Sequence, residues 1–320
     1  MAYISLLIKL IIFFSCLIYI FKDINFCKIL SDLIKFSWLK IIMLLIISFL
    51  GHILLAERLQ FLFNRKISFV ESFNASMICL AINNVLPAKI GEVGKVIFIC
   101  KLKSFKLAYS LSNIFWERFS DLNILLLLSL LIVFFYKIDL LVFPILFFVI
   151  LIWTLLSILY YWPYVVIKLM QYCPVVSLRV FMVNSNLYIR KKMALRIYTL
   201  LGLRTLIIQF VNASYTVLAL IWVANLSINV WQALVVFLLS AFAAIIPSLP
   251  GGFGVFEAAV VFSLSLFGIE KEQALTIGFI LHMIQYIPTT LIGLIVVGYY
   301  GFNLGLVKES RQFLNHLSAE

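Results

Sequence analysis

Three charged side chains follow Pro87 at a spacing of three residues, as Lys89, Glu92 and Lys95. If this segment is helical, the three side chains share one face. A proline at a helix start leaves neighbouring backbone N–H groups free, and the positive end of the helix dipole adds to the charge of the lysines. This combination predicts a phosphate-binding site, where Gly91 lets a headgroup approach the backbone. The alternative interpretation is that both lysines extend to a membrane interface and pair with Glu92.

A second motif combines prolines, glycines and one carboxylate. It contains Pro250, Gly251, Gly252 and Gly254, and it ends at Glu257. A carboxylate near a helix N-terminus is stabilised by the helix dipole, but the residues after Glu257 are apolar enough to lie inside a membrane. Carboxylates at that depth are usually functional. We therefore expect Glu257 to carry a coupling proton or to bind a cationic group.

A third charged group consists of Glu117, Arg118 and Asp121. Glu117 and Asp121 share one face of a helix, whereas Arg118 points about 100° away from Glu117. The apolar run after Asp121 is too short to cross a bilayer alone, so the group should lie at or inside the cytoplasmic boundary. Two interpretations stay open. The group pairs with the lysine face that contains Lys95, or it anchors the helix at the interface together with Trp116.

Four further polar residues are weaker candidates. Asn84 stands just before the first proline motif. Arg204 lies inside an apolar segment, where it either binds an anion in a cavity or extends to the interface. His282 and Gln285 share a face of the last apolar segment and either line a cavity or link helices. The five cysteines form no C-x-x-C pair and the three histidines are far apart, so we expect neither a metal nor a cofactor.

The composition indicates which kind of protein must position these residues. Of the 320 residues, 65% are hydrophobic and 12% are charged. An ordinary soluble domain has about a quarter of its residues charged. So little charge cannot cover a soluble surface, which excludes a soluble enzyme, a disordered chain and a coiled coil. The net charge of +12 comes from basic residues at the ends of apolar runs, which is typical of membrane proteins and does not indicate nucleic-acid binding.

The chain is predicted to be an all-α polytopic membrane protein with six spanning segments and two broken ones. The spanning segments are 3–21, 37–56, 107–136, 140–162, 197–224 and 273–302, of which the first is interpreted as an uncleaved helix. The broken segments, 69–100 and 231–267, are interrupted by prolines, and each half is too short to cross a bilayer. Irregular backbone at membrane depth must be covered by protein or by a watery cavity. Both are therefore predicted to be re-entrant hairpins or discontinuous helices that face an internal cavity.

The charges of the loops predict the orientation of the chain. Basic residues are concentrated in 57–66, 101–106 and 163–196, whereas 268–272 is net acidic. Because basic loops stay inside, both termini are predicted to be cytoplasmic. The first broken segment then enters from the cytoplasmic side and the second from the outer side.

The two breaks also suggest an internal repeat. L-P-x-x-x-G begins at Leu86 and again at Leu249, about half the chain further on. With the opposite orientations above, the single membrane domain 1–320 is predicted to be an inverted repeat of 1–137 and 138–308. This plan is common in secondary transporters, which bind substrate where the broken helices meet.

The motif around Leu86, the cluster at Glu117 and the motif that ends at Glu257 together resemble the lysylphosphatidylglycerol synthase transmembrane-region family, also described as flippase-like. They are similar to the membrane module of the multiple peptide resistance factor, and the resemblance covers essentially the whole chain. It implies a role in exposing aminoacylated phospholipid on the outer leaflet. The family pattern has mostly arginine at the positions of Lys89 and Lys95, and lysine lacks the bidentate fork of arginine. In the family that this chain resembles, aminoacyl transfer is carried out by a separate soluble domain. We therefore expect no enzyme activity here.

The leading functional hypothesis is a lipid translocator that moves an anionic phospholipid or a polyprenyl-phosphate-linked lipid between leaflets. Lys89, Lys95 and Arg204 would hold the phosphate, and Glu92 and Glu257 would be switchable partners. The expected location is the bacterial cytoplasmic (inner) membrane.

Two alternatives belong to other functional classes. The first is an intramembrane enzyme that acts on lipid phosphate, for which Glu117 and Asp121 are the close acidic pair. The second is a non-transporting partner of a cell-envelope glycosyltransferase or a related biosynthetic enzyme. The expected partners are membrane lipids and not nucleic acid, and the oligomeric state stays open.

Overall fold

Helices are the regular secondary structure in the part of the chain that the computed structural model describes. That part comprises residues 11, 14–22, 24–34, 36–86, 90–136, 139–161, 164, 168, 195–245 and 250–300. These residues contain no β-strand. The prediction of an all-α protein is therefore confirmed.

The helices follow a first helical stretch at residues 14–21. They are α1 (Phe26–Ile34), α2 (Trp38–Leu62), α3 (Phe69–Val85), α4 (Gly91–Lys103), α5 (Leu107–Tyr136), α6 (Asp139–Tyr161), α7 (Leu195–Leu218), α8 (Val230–Ala243), α9 (Val255–Ser265) and α10 (Lys271–Tyr299). A π-helical turn, Ala219–Val223, extends α7, and a 3-10 turn, Pro250–Gly252, precedes α9.

Four helices among the described residues are long and apolar enough to cross a membrane. They are Trp38–Leu62, Leu107–Phe135, Arg196–Val223 and Lys271–Tyr299. Each corresponds to a predicted spanning segment. The predicted segment 140–162 coincides with α6, of which the apolar stretch Ile145–Thr154 is shorter. Half of the predicted first span, 3–21, lies outside the described residues, so that span stays a prediction.

The chain divides into two compact units. Unit 1 comprises Met1–Leu54, Met77–Gly91 and Ile208–Leu294, and unit 2 comprises Leu55–Ser76, Glu92–Ile207 and Ile295–Glu320. Each of the predicted halves, 1–137 and 138–308, contributes segments to both units. The inverted repeat therefore stays a prediction.

Unit 1 contains an apolar core that joins α8, α9 and α10 to the end of α7. Its fully buried members include Leu220, Ala233, Val236, Val260, Leu264 and Ala274. The helices α8 and α9, which are the two halves of the second broken segment, pack directly against each other. The hydroxyl of Tyr215 donates to the carbonyl of Leu281 at 2.9 Å and so links α7 to α10. The core thus packs α8, α9 and the end of α7 together with α10.

Unit 2 contains the ends of the first broken segment. The helix α3 starts with a capping box, in which the Ser68 N–H donates to Glu71 Oε2 at 2.7 Å and the Glu71 N–H donates to Ser68 Oγ at 3.2 Å. Lys103, the last residue of α4, pairs with Glu71 Oε1 at 3.0 Å. The start of α3 and the end of α4 thus lie side by side, as expected for a segment that enters and leaves on one side.

The contacts of Glu71 predict a loss of stability in acid. Partial burial disfavours its charge, but hydrogen bonds from the Ser68 N–H and from Lys103 lower the pKa of the carboxyl below its usual value. A lowered pKa stabilises the fold above the pKa of the unfolded chain, and that stabilisation is lost as the pH falls through the folded pKa. Glu71→Gln should therefore lower the melting temperature at neutral pH, and the difference from the unmodified protein should vanish in acid. Melting temperatures measured in detergent across this pH range would check it.

Candidate functional site

The second break is a glycine-rich turn that lies against α10. Gly251, Gly252 and Gly254 have φ values of +69°, +78° and +81°, a region that favours glycine. A Cβ atom on Gly251 would lie 2.5 Å from Cε2 of Tyr286 on α10. The backbone at Gly251 therefore approaches a ring of α10 more closely than any other residue type would allow.

Glu257 is buried in the first turn of α9 and is held by two partners. The residue is 5% exposed. Oε2 accepts a hydrogen bond from the Gly254 N–H at 2.8 Å, and Oε1 lies 2.5 Å from His282 Nδ1. The other ring nitrogen of His282 lies 2.9 Å from the carbonyl oxygen of Gly251. The sequence places Glu257 at a helix start correctly, but it contains no signal that joins Glu257 to His282.

The first break contacts the same helix, α10. Asn84 Nδ2 donates to Thr290 Oγ1 at 2.7 Å and to Thr289 Oγ1 at 3.2 Å, and the Tyr286 hydroxyl donates to the Asn84 carbonyl at 3.3 Å. Asn84 is thus a link to α10, and its predicted role in substrate binding stays a prediction.

Gly91, the first residue of α4, follows the first break and packs against α3. The Asn83 side-chain oxygen accepts from the Gly91 N–H at 2.8 Å, and a Cβ atom on Gly91 would lie 2.1 Å from the Cys79 carbonyl oxygen. Only glycine allows α4 to begin so close to α3. The predicted helix start at Pro87 and the predicted phosphate contact of Lys89 fall outside the described residues.

Unit 1 therefore brings both breaks to one stripe of α10. His282, Tyr286 and Thr290 lie four residues apart and share a face of this helix. The second break contacts the start of the stripe through Gly251, and the first break contacts its end through Asn84. Two motifs far apart in sequence are thus held by a single helical surface.

Unit 2 contains a buried ion-pair network around Glu117. Its carboxylate, 1% exposed, lies 3.1 Å from Arg58 Nη2 and 2.7 Å from Lys95 Nζ. Arg58 is fully buried and also binds Asp121 and the Thr205 hydroxyl. The predicted pairing of the acidic cluster with the lysine face is confirmed for Lys95 and Glu117.

The exposed edge of this network is Arg118. Its guanidinium is half exposed and lies 3.4 Å from Glu92 Oε1 and 3.4 Å from Asp121 Oδ2. Among the described residues, the network contains the cations Arg58, Lys95 and Arg118 and the anions Glu92, Glu117 and Asp121. The alternative in which Lys95 extends to the interface and pairs with Glu92 is wrong, because Lys95 is 2% exposed and Glu92 pairs with Arg118.

Two interpretations of residues near this network need correction. The loop charges place Arg58 in a cytoplasmic loop, but α2 continues to Leu62 and Arg58 lies inside it. Two carboxylates offset the cost of burying its charge. Trp116 is not an interfacial anchor, because it is 1% exposed and packs edge-on against Phe119 and Tyr198.

Arg204 is paired with a protein carboxylate. Its Nε lies 3.0 Å from Glu57 Oε2, and its guanidinium lies 4.0 Å from the centre of the Phe61 ring. Its role as an anion ligand therefore stays a prediction. An anion that binds Arg204 would have to compete with the Glu57 carboxylate.

Comparison with known families identifies a match along most of the chain. The family model described as the lysylphosphatidylglycerol synthase TM region matches residues 6–293. A comparison with curated proteins finds no match. The matched range includes both breaks, the network around Glu117 and the stripe on α10.

Proposed function

The chain belongs to the lysylphosphatidylglycerol synthase transmembrane-region family, and from this membership we propose that it is a membrane lipid translocator. The proposed cargo is an anionic phospholipid or a polyprenyl-phosphate-linked lipid. The proposed location is the bacterial cytoplasmic membrane, with both termini inside.

The convergence of both breaks on α10 is the observation that carries this proposal. Helices broken at membrane depth are tolerated where they line a cavity, and paired broken helices are typical of transporter binding sites. Here Gly251 of one break and Asn84 of the other both bond to residues 282–290 of α10. A movement of α10 would therefore act on both breaks together.

The network in unit 2 supports an anionic headgroup. A carboxylate that is approached by three cations occupies a position that would also suit a phosphate. In the proposed cycle, a headgroup phosphate first meets the exposed Arg118 and then competes with Glu117 and Asp121 for their cations. Lys95 is the next cation inward, and its pair with Glu117 must open for it to take part.

A vesicle assay tests this function. The protein is reconstituted in vesicles of phosphatidylcholine and phosphatidylglycerol with a trace of fluorescent phosphatidylglycerol. An external quencher should then reach the fluorescent lipid of the inner leaflet as well, whereas in protein-free vesicles it reaches only the outer leaflet. Arg118→Gln should slow this exchange by about tenfold, because it removes the exposed charge that meets the phosphate. Arg196→Gln, which neutralises another exposed arginine, is the matched control and should leave the rate unchanged. Exchange no faster than in protein-free vesicles, for phosphatidylglycerol and for polyprenyl-phosphate probes alike, would contradict the proposal.

The same vesicles test the two alternatives. A lipid-phosphate enzyme would release a new lipid product in the presence of metal ions, and a non-transporting partner would leave the probe in its leaflet. In the structure, Glu117 and Asp121 are both bound to Arg58. Their pairing therefore favours a structural or switching role over an acidic metal site.

A further inference from the structure

The two contacts of the His282 ring determine how many protons this site holds. The carbonyl of Gly251 can only accept a hydrogen bond, so Nε2 carries a proton across the 2.9 Å contact. The 2.5 Å contact between Nδ1 and Glu257 Oε1 also needs a proton, because a nitrogen lone pair would be repelled by a carboxylate. Two protons are therefore present, one on Nε2 and one shared between Nδ1 and Glu257.

Loss of the shared proton breaks one of the two contacts. A neutral imidazole beside a carboxylate has a single N–H to donate. If that proton stays on Nε2, the Nδ1 lone pair faces the carboxylate of Glu257. If it moves to Nδ1, the Nε2 lone pair faces the carbonyl of Gly251. Either α9 or the glycine turn then loses its bond to α10.

The described side chains around Glu257 and His282 are mostly aromatic and supply no compensating positive charge. The Phe253 and Phe256 rings lie 4.7 Å and 5.0 Å from the imidazole, centre to centre. Among the described residues, the titratable groups that face the pair are Cys16, on the first helical stretch, and Tyr286, on α10. Neither a thiol nor a phenol can supply a positive charge to Glu257. Within the part of the chain that the structure describes, Glu257 forms no ion pair with a lysine or an arginine, and its charged or hydrogen-bonding side-chain partner is His282.

We propose that Glu257 and His282 form a proton-binding site, in which the bound proton holds the glycine turn and α9 against α10 and its release frees one of them. The inference rests on the proposed function and deepens it, because it assigns H⁺ as the ion that is coupled to lipid movement. The site lies at the second break, so proton release changes one of the two contacts with α10 on which the proposed function rests.

Proton binding can be measured without transport. The chain has three histidines, so ¹⁵N-labelled imidazole rings in detergent micelles give few NMR signals, and His52→Gln and His316→Gln identify those of His282 by elimination. Raising the pH should change the His282 signals in one protonation step. Glu257→Gln should shift the midpoint of that step by at least about one pH unit, because an amide cannot share the proton. Glu270→Gln, which removes an exposed carboxylate, should leave it in place.

The same variants are then compared in vesicles with an imposed pH gradient. The gradient should accelerate probe exchange by about fivefold or more for the unmodified protein and for Glu270→Gln, but not for Glu257→Gln. An identical His282 titration in the unmodified protein and in Glu257→Gln would overturn the proton site, whatever the exchange rate. A shifted titration in a protein that moves no lipid would overturn the proposed function and leave the proton site standing.

Discussion

Replacing Glu117 with glutamine should lower the free energy of unfolding by about 3–5 kcal/mol. The substitution leaves two buried cations, Arg58 and Lys95, without the carboxylate that contacts both of them. Asp121 still binds Arg58, but Lys95 pairs with no other carboxylate in the part of the chain that the structure describes. Chemical denaturation in detergent, followed by the fluorescence of the buried Trp116 and its neighbours, would measure the loss.

Two controls separate this effect from the loss of any charge. Glu270→Gln removes a carboxylate that pairs with Lys28 in an exposed position, and it should change the stability by less than about 1 kcal/mol. Combining Glu117→Gln with Lys95→Met should cost less than the sum of the single changes, because no cation is then left unpaired at that position. If Glu117→Gln were as mild as Glu270→Gln, the network would not stabilise unit 2.

Features encoded by local patterns could be predicted from the sequence. Four apolar segments form long helices as expected, and the prolines and glycines place both breaks correctly. The spacing of Glu117 and Asp121 puts both on one face of a helix, and in the structure both bind the same guanidinium, that of Arg58. Periodicity determines which side chains share a face, and it needs no knowledge of the partner helix.

The position of Arg58 could not be predicted because its environment is set by another helix. A basic residue at the end of an apolar run usually marks a loop, and the predicted span ends at residue 56. The apolar residues after it, Leu59, Leu62 and Phe63, are all fully buried and are the available signal that α2 continues. The carboxylates that make the burial of Arg58 tolerable lie about sixty residues further along the chain.

The pair of Glu257 and His282 is a second example of a tertiary contact without a local pattern. The two residues are 25 positions apart and lie on different helices. In the sequence, His282 is a candidate only because it shares a face with Gln285. The glycine turn that carries Gly251 to the imidazole depends on positive φ angles, and the sequence indicates these only as a cluster of glycines.

Replacing Gly293 with alanine should destabilise the packing of α10 on α3 by about 1–3 kcal/mol. A Cβ atom at this position would lie 2.4 Å from the Met77 carbonyl oxygen and 2.4 Å from the Ala81 Cβ atom. Both atoms belong to α3 and cannot move away by rotating a side chain, so the helices must separate. Because α3 also carries Asn84, the separation should weaken its hydrogen bond to Thr290 and slow lipid exchange in vesicles.

The matched control is on the same helix. Gly298 is exposed, and a Cβ atom added to it would meet nothing among the described residues within 4 Å. Gly298→Ala should therefore be neutral or stabilise α10 by up to about 1 kcal/mol, because alanine favours helix over glycine. Equal melting temperatures for the two variants would contradict the close packing at Gly293. A destabilised Gly293→Ala protein with normal lipid exchange would show that the contact between the first break and α10 is structural and takes no part in transport.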